Sequence, residues 1–200
     1  MAVFTQVSKT EAATLLSRLN LGQLTDIEGC SGGIENTNYF VSTLRDGEPH
    51  HYVLTLFERL TFEQLPFYLH LMKHLAGKGI PVPDPAANPD GDVLHTVCGK
   101  PAAVVNKLAG KSQLQPQAVH CAAVGDMLAR MHLAGADYNR SQPNLRGLPW
   151  WNETVPVVLP YVDEAQAALL RSELAYQNHV AASAAYAGLP RGPVHADLFR

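Results

Sequence analysis

Two side chains near the end of this 200-residue sequence have the types and spacing for proton transfer: His195 and Asp197, separated by Ala196. They follow Gly192-Pro193, a turn signal, and Val194, the close of a short apolar run. A carboxylate two residues after a histidine is an arrangement used in phosphoryl transfer. There the Asp accepts the proton of an attacking hydroxyl, and an Asn five residues later holds Mg2+. Here that Asn would fall beyond Arg200. H-x-D also occurs in plain surface turns, so the elements upstream must decide.

The second candidate is the run from Gly29 through Cys30, Ser31, Gly32, Gly33, Ile34, Glu35 and Asn36 to Thr37. Gly29, Gly32 and Gly33 remove Cβ atoms where a backbone could approach a ligand, and the N–H groups of such a loop can cradle phosphate. The polar residues Ser31, Glu35, Asn36 and Asn38 crowd the same place. A flexible hairpin tip is the competing expectation. The run is not G-x-x-x-x-G-K-[ST], and it does not open a helix in a βαβ unit. The histidines offer less. His70 and His74 have the spacing of a zinc H-E-x-x-H helix, but Leu71, Met72 and Lys73 lie between them, and they are expected to be paired surface residues. His132 is expected to cap or pack a helix end, and Trp150-Trp151 to pin a loop onto the core.

Composition narrows the class. Hydrophobic residues make up 46% and charged residues 16%, enough for a real core and too apolar for a disordered chain. The formal net charge is −3, and no Lys/Arg cluster tracks a phosphate backbone, so no nucleic-acid partner is expected. Three scattered cysteines, Cys30, Cys98 and Cys121, form no disulfide framework. No leader pattern is visible, and no apolar run reaches ~18 residues, so a soluble cytoplasmic protein without membrane contact is expected.

The elements that must position these groups run in a telling order. Ser8 and Glu11 form a capping box for a helix over 8–20, with Ala12, Leu15, Leu16 and Leu19 on one face. Strands are expected over 24–28, 38–44 and 52–57, with Asp46-Gly47 turning the second hairpin. A helix over 62–77, capped by Thr61, precedes a proline-rich connector. Two more strands, 93–97 and 101–106, follow. Past the polar segment 107–112 the pattern becomes helical, over 115–134 and 163–187, with 137–152 irregular. Strands followed by helices imply an α+β fold.

A five-stranded antiparallel lobe, a hinge and a helical lobe that ends in H-x-D resemble the two-lobed protein-kinase-like fold. The chain resembles the aminoglycoside-phosphotransferase-like small-molecule kinases, and within them the homoserine kinases. The motifs that carry the likeness are Glu35-Asn36-Thr37-Asn38-Tyr39-Phe40 and His195-Ala196-Asp197-Leu198-Phe199, supported by Gly79-Ile80-Pro81-Val82-Pro83 and His132-Leu133-Ala134-Gly135-Ala136-Asp137. The resemblance implies a nucleotide-binding lobe over 1–106 and an incomplete helical lobe over 107–200. It implies transfer of the ATP γ-phosphoryl group to the side-chain hydroxyl of L-homoserine, a step toward threonine. Asp197 would be the base and His195 its buttress. Ser31, Gly32, Gly33, Asn36 and Thr55 would lie along the phosphates, and Asn106, Lys107 and Leu108 along the adenine at the hinge. Kinases for choline, methylthioribose or an aminoglycoside, and a non-catalytic nucleotide-binding module, are the alternatives.

The sequence departs from the family pattern twice. The third strand carries Thr55 where many kinases place a cation for the phosphates, and Arg59 follows four residues later. The Mg2+ ligands would lie beyond residue 200. The chain is therefore expected to be a C-terminally truncated kinase with little turnover by itself.

Overall fold

A computed structural model describes residues 3–32 and 35–198. Helix α1, Lys9–Arg18, opens with the capping box in place: the Ser8 side chain accepts from the Glu11 N–H, and the Glu11 carboxylate from the Ser8 N–H. Strands β1 (Gln23–Gly29), β2 (Asn36–Arg45) and β3 (Glu48–Phe57) follow, then helix α2 (Leu65–Gly77) and strands β4 (His95–Val97) and β5 (Lys100–Asn106). Among the described residues these five strands form one antiparallel sheet in the order β1-β2-β3-β5-β4. The turn between β2 and β3 is built by Asp46 (φ 54°) and Gly47 (φ 83°). Two positive φ values in a two-residue loop match the twist of the flanking strands. Cys98 (φ 51°) and Gly99 (φ 72°) repeat the device between β4 and β5.

Side-chain alternation gives the sheet two different faces. On one, Tyr39, Val41, Tyr52, Leu54, Leu56, Ala102 and Val104 meet Leu15, Leu16 and Leu19 of α1 in the main core. On the other, Ala103 of β5 and the strand-end Phe57 meet Leu65, Leu69 and Met72 of α2 in a smaller cluster. That cluster covers only part of its face, and Phe40 on β2 stays 41% exposed.

A polar network fastens the N-terminal segment to the main-core face. The fully buried Thr37 hydroxyl accepts from the N–H groups of Phe4 and Thr5 and donates to Glu58 at 2.6 Å. Lys100 pairs with the same Glu58 and donates to the Thr5 hydroxyl. Burial works against ionised Glu58, but the hydrogen bonds from Lys100, Thr37 and Thr5 outweigh it and hold the carboxyl below its ordinary range.

Helix α3, Ala118–Ala134, follows the connector after β5. It starts three residues later than the periodicity predicts, and none of its side chains is buried. Leu128 and Met131 are half-buried, whereas Cys121 and Val124 are exposed. The other departures are also local. The helix expected from residue 62 begins at Leu65, because Thr61 does not cap it: its N–H donates to the Gln64 side chain, and residues 62–64 form a turn. Strand β4 starts at His95 rather than Val93, whose side chain instead enters the α2 cluster.

The chain divides into two compact units, Met1–Arg140 with Pro193–Arg200, and Ser141–Gly192. The second unit holds α4 (Leu148–Val158), a short 3-10 turn at Leu159–Tyr161, α5 (Glu164–Ala181) and α6 (Ala184–Ala187). The segment read as irregular is thus partly helical: Gly147 and Pro149 start α4, and Trp150 and Trp151 stand on that helix, not on a loop. They line an apolar cavity of about 350 Å³ together with Val155, Val158, Leu170 and Leu174. The helix expected over 163–187 breaks at Ser183, whose hydroxyl accepts from the Tyr186 N–H and caps α6.

Two measurements check this packing. Leu54→Ala should cost about 2–5 kcal/mol, read as a lower urea midpoint, because Leu54 is only 1% exposed. Glu58 has a depressed folded pKa, so its stabilisation is present above the ordinary glutamate value of 4.5 and is lost as pH falls through the lower folded value. The stability gap between the wild type and Glu58→Gln should therefore narrow on acidification below that range.

Candidate active site

The open half of the second sheet face gathers several candidates. Cross-strand register pairs Asn38 with Thr55 and Phe40 with Val53. The Thr55 hydroxyl donates to Asn38 Oδ1 at 2.7 Å, so the residue in the cation's place is a neutral donor already satisfied by its neighbour. Helix α2 carries no Asp or Glu, so it offers no carboxylate partner for a strand cation either. Arg59 pairs instead with Glu35 at 3.6 Å. At the head of the glycine-bearing loop the Cys30 N–H donates to the Asn38 carbonyl at 2.8 Å. Burial, and the nearby Glu28 charge, push the Cys30 thiol up.

Ser31 and Gly32 are exposed, whereas Gly33 and Ile34 lie outside the described residues. Gly32 has no positive φ, and a Cβ built on it would meet nothing within 4 Å. Among the described residues, neither backbone conformation nor packing requires glycine there. Asn36 pairs across with Phe57 at the foot of the same loop, and its carbonyl accepts from the Asn38 side chain.

The hinge residues divide their work. The Asn106 side chain accepts from the Asp84 N–H at 2.6 Å and thereby ties the proline-rich connector to β5. It is a structural tether, leaving its backbone as what it offers a ligand. The Lys107 N–H continues the ladder to the His51 carbonyl, and its ammonium stands 4.2 Å from the centre of the Phe40 ring. A cation over an exposed aromatic face contributes about 0.5–1 kcal/mol. Leu108 is exposed. Phe40 was absent from the sequence-derived candidates. Its signal was an aromatic among outward positions that otherwise read Asn38 and Ser42.

The H-A-D segment is held from α3. The His195 N–H donates to His132 Nε2 at 3.4 Å, and the Asp197 N–H donates back to His195 Nδ1 at 3.2 Å. Ala196 between them has φ 57°, a left-handed conformation that is costly for a residue with a Cβ and is found most often at functional turns. Asp197 stays exposed. The described hydrogen bonds of this segment run to α3 and within itself; they do not reach Thr55 or the loop. His132 is thus more than a helix-end packing residue.

The chain that follows His132 is clamped to α2. His74 Nε2 donates to the Ala134 carbonyl at 3.1 Å and to Asp137 at 3.0 Å, and Lys78 reaches the same two groups. The Lys78 hydrogen bond outweighs the opposing burial and, helped by His74, holds Asp137 below the usual carboxylate range. The Tyr138 hydroxyl donates to the Phe67 carbonyl. His70 and His74, expected as surface residues, are both half-buried, and burial lowers the His70 pKa. Among the described residues no group of three His, Cys, Asp or Glu side chains converges to hold a metal.

Known proteins share this sequence and fold. A family described as "Phosphotransferase enzyme family" matches residues 26–200. The chain is 70% identical over its whole length to a homoserine kinase of Polaromonas naphthalenivorans, covering 62% of that protein. It is 58% identical over its whole length to a homoserine kinase of Cupriavidus necator, covering 60% of it. The chain thus spans about three fifths of these curated relatives. Among solved structures, the amicoumacin kinase hAmiN in complex with AMP-PNP, Ca2+ and Ami superimposes with TM-score 0.60 at 18% identity, over 92% of this chain and 57% of that one. A spectinomycin phosphotransferase in complex with ADP and spectinomycin gives 0.54 at 14% identity, over 89% and 55%. These likenesses bear out the expected α+β kinase-like fold.

The tether at the hinge is testable apart from any ligand. Asn106→Ala should cost about 1 kcal/mol and speed amide exchange at Asp84, since it removes that N–H's acceptor.

Proposed function

Because the chain belongs to the phosphotransferase enzyme family, we propose that it is the nucleotide-binding lobe and catalytic-loop segment of a kinase that moves the ATP γ-phosphoryl group to the side-chain hydroxyl of L-homoserine. The homoserine kinases that match it over all 200 residues support this choice of acceptor. The observation that carries the chemistry is the exposed Asp197 on its left-handed turn, with its backbone held by His195 and that residue held by His132. The same proposal divides the chain into a nucleotide-binding lobe over 1–106 and part of a helical lobe over 107–200.

Each part has a physical task. ATP supplies the activated phosphoryl group. Phosphoryl transfer then needs positioning and charge stabilisation more than covalent chemistry. The Asp197 carboxylate accepts the proton of the acceptor hydroxyl as that oxygen attacks. His195, by accepting from the Asp197 N–H, buttresses the turn that presents the carboxylate. In this reading the exposed N–H groups of Ser31 and Gly32 face the phosphates. Thr55 and Asn38, bonded to one another, line the way between the loop and the hinge as neutral polar groups. The Lys107 N–H is committed to His51, so its carbonyl and the backbone of Leu108 are what the hinge offers the base. Mg2+ is part of the proposal, but the described residues do not assemble a site for it, and no step here runs through it.

The whole gene product should release ADP from ATP in the presence of L-homoserine, and more slowly with choline, methylthioribose or an aminoglycoside. Asp197→Asn should lower kcat by ~10²-fold or more while ATP still binds. Survival of turnover in that variant would remove Asp197 from the role of base.

A further inference from the structure

We propose that residues 3–7, locked by Glu58 and Lys100, are a clasp that fixes the two feet of the glycine-bearing loop and so sets its grip on phosphate without touching the ligand; this rests on the nucleotide-binding reading above. Thr37, Glu58 and Gly29 are then positioning residues of the loop.

The loop leaves the sheet at Gly29, the end of β1, and rejoins it at Asn36, the start of β2. Gly29 is the last β1 residue to pair with β2, opposite Tyr39, and the Cys30 N–H adds one more bond to the Asn38 carbonyl. Ser31 and Gly32 follow directly and are exposed, so their N–H groups are placed through these feet.

The segment 3–7 crosses behind both feet, on the face that α1 covers, where Val3 and Val7 pack against the main core. At the first foot, a Cβ on Gly29 would lie 2.8 Å from Val3 Cγ2, and Gly29 has no positive φ. Glycine at 29 is thus required by the approach of Val3 and not by its own backbone. At the second foot, the Thr37 hydroxyl accepts from the Phe4 and Thr5 N–H groups and donates to Glu58, which uses both lone pairs and the proton. Beside it the Tyr39 hydroxyl donates to the Thr5 carbonyl at 2.8 Å and accepts from the Val7 N–H at 3.1 Å. Glu58 directly follows β3, accepts from the Thr5 hydroxyl at 2.7 Å and pairs with Lys100 at the start of β5. One short segment therefore ties the end of β1, the start of β2, the end of β3 and the start of β5 to each other.

Thr37 and Tyr39 point away from the face that carries Asn38 and Thr55, because side chains alternate along a strand. The clasp can then act on a ligand through the position of the loop. Feet that splay must be drawn together again before the loop N–H groups converge on a phosphate, and that ordering weakens binding. A ligand without phosphate does not depend on it.

Isothermal titration of the whole gene product with Mg-ATP and with adenosine, together with amide exchange at Cys30, tests the clasp. Thr37→Val keeps the shape of the side chain but leaves the Phe4 and Thr5 N–H groups without their acceptor. It should weaken Mg-ATP about fivefold or more, the lower end of coupling between separated sites, speed exchange at Cys30 and leave adenosine unchanged. Thr37→Ser should restore wild-type ATP binding. Gly29→Ala should weaken Mg-ATP in the same way. Val3→Ala removes the Cγ2 that the new methyl meets, and in the double variant it should recover most of that loss. If Thr37→Val fails to fold, Gly29→Ala and its Val3→Ala partner decide by themselves. Mg-ATP affinity that is indifferent to Thr37→Val and Gly29→Ala, or adenosine binding that weakens in step with Mg-ATP, would overturn the clasp while nucleotide binding stands. A wild type that takes up neither ligand would overturn the nucleotide-binding reading and the clasp with it.

Discussion

The structure depends on one constraint: an antiparallel sheet with two faces and unequal cover for them. Period-two alternation along β2 and β3 sends Tyr39, Val41, Leu54 and Leu56 to one face, where α1 seals them. Burying each such side chain contributes about 1.5–3 kcal/mol, so this face sets the register. A one-residue slip would put Asn38 and Thr55 in the core and Leu54 in water. The other face has only α2, which reaches Ala103 and Phe57. What α2 leaves bare, together with the loop at its end, is the candidate nucleotide surface. The site is thus a by-product of how the sheet is covered, and its residues are placed by a core they do not belong to.

The second positioning device is the clamp between α2 and the end of α3. A single stretch, residues 132–138, serves two partners. Ala134, Asp137 and Tyr138 bond to α2, while His132 holds the backbone of His195. The H-A-D segment is therefore referenced to the same helix that half-covers the sheet. The route passes through hydrogen bonds with defined donors and acceptors, not through apolar contact, which fixes direction as well as distance.

Family membership and local chemistry meet in an uneven way. The H-A-D segment is held by His132, while the third strand carries Thr55, bonded to Asn38, where many kinases place a cation. With no acidic residue on α2, both halves of a strand–helix ion pair are absent together, so neither partner is left with an uncompensated charge.

Local signals in the sequence were enough for the α1 capping box, the Asp46-Gly47 turn, the strand-then-helix order and the H-A-D motif, because each depends on residues within a few positions of one another. The sequence alone did not reveal that Asn106 is spent on the Asp84 N–H, that Trp150 and Trp151 stand on a helix, that His74 bonds to Ala134 and Asp137, or that His132 accepts from the His195 N–H. Those facts join residues from separate elements, and a side chain's free valence is known only when its neighbours are. Phe40 is the sharpest case. Its β-forming character placed it on a strand, but only the incomplete cover of α2 left its ring bare and brought Lys107 over it. Period and capping are local properties that the chain carries by itself. Exposure and partnership are properties of packing, and only the folded sheet with its two unequal helices decided them.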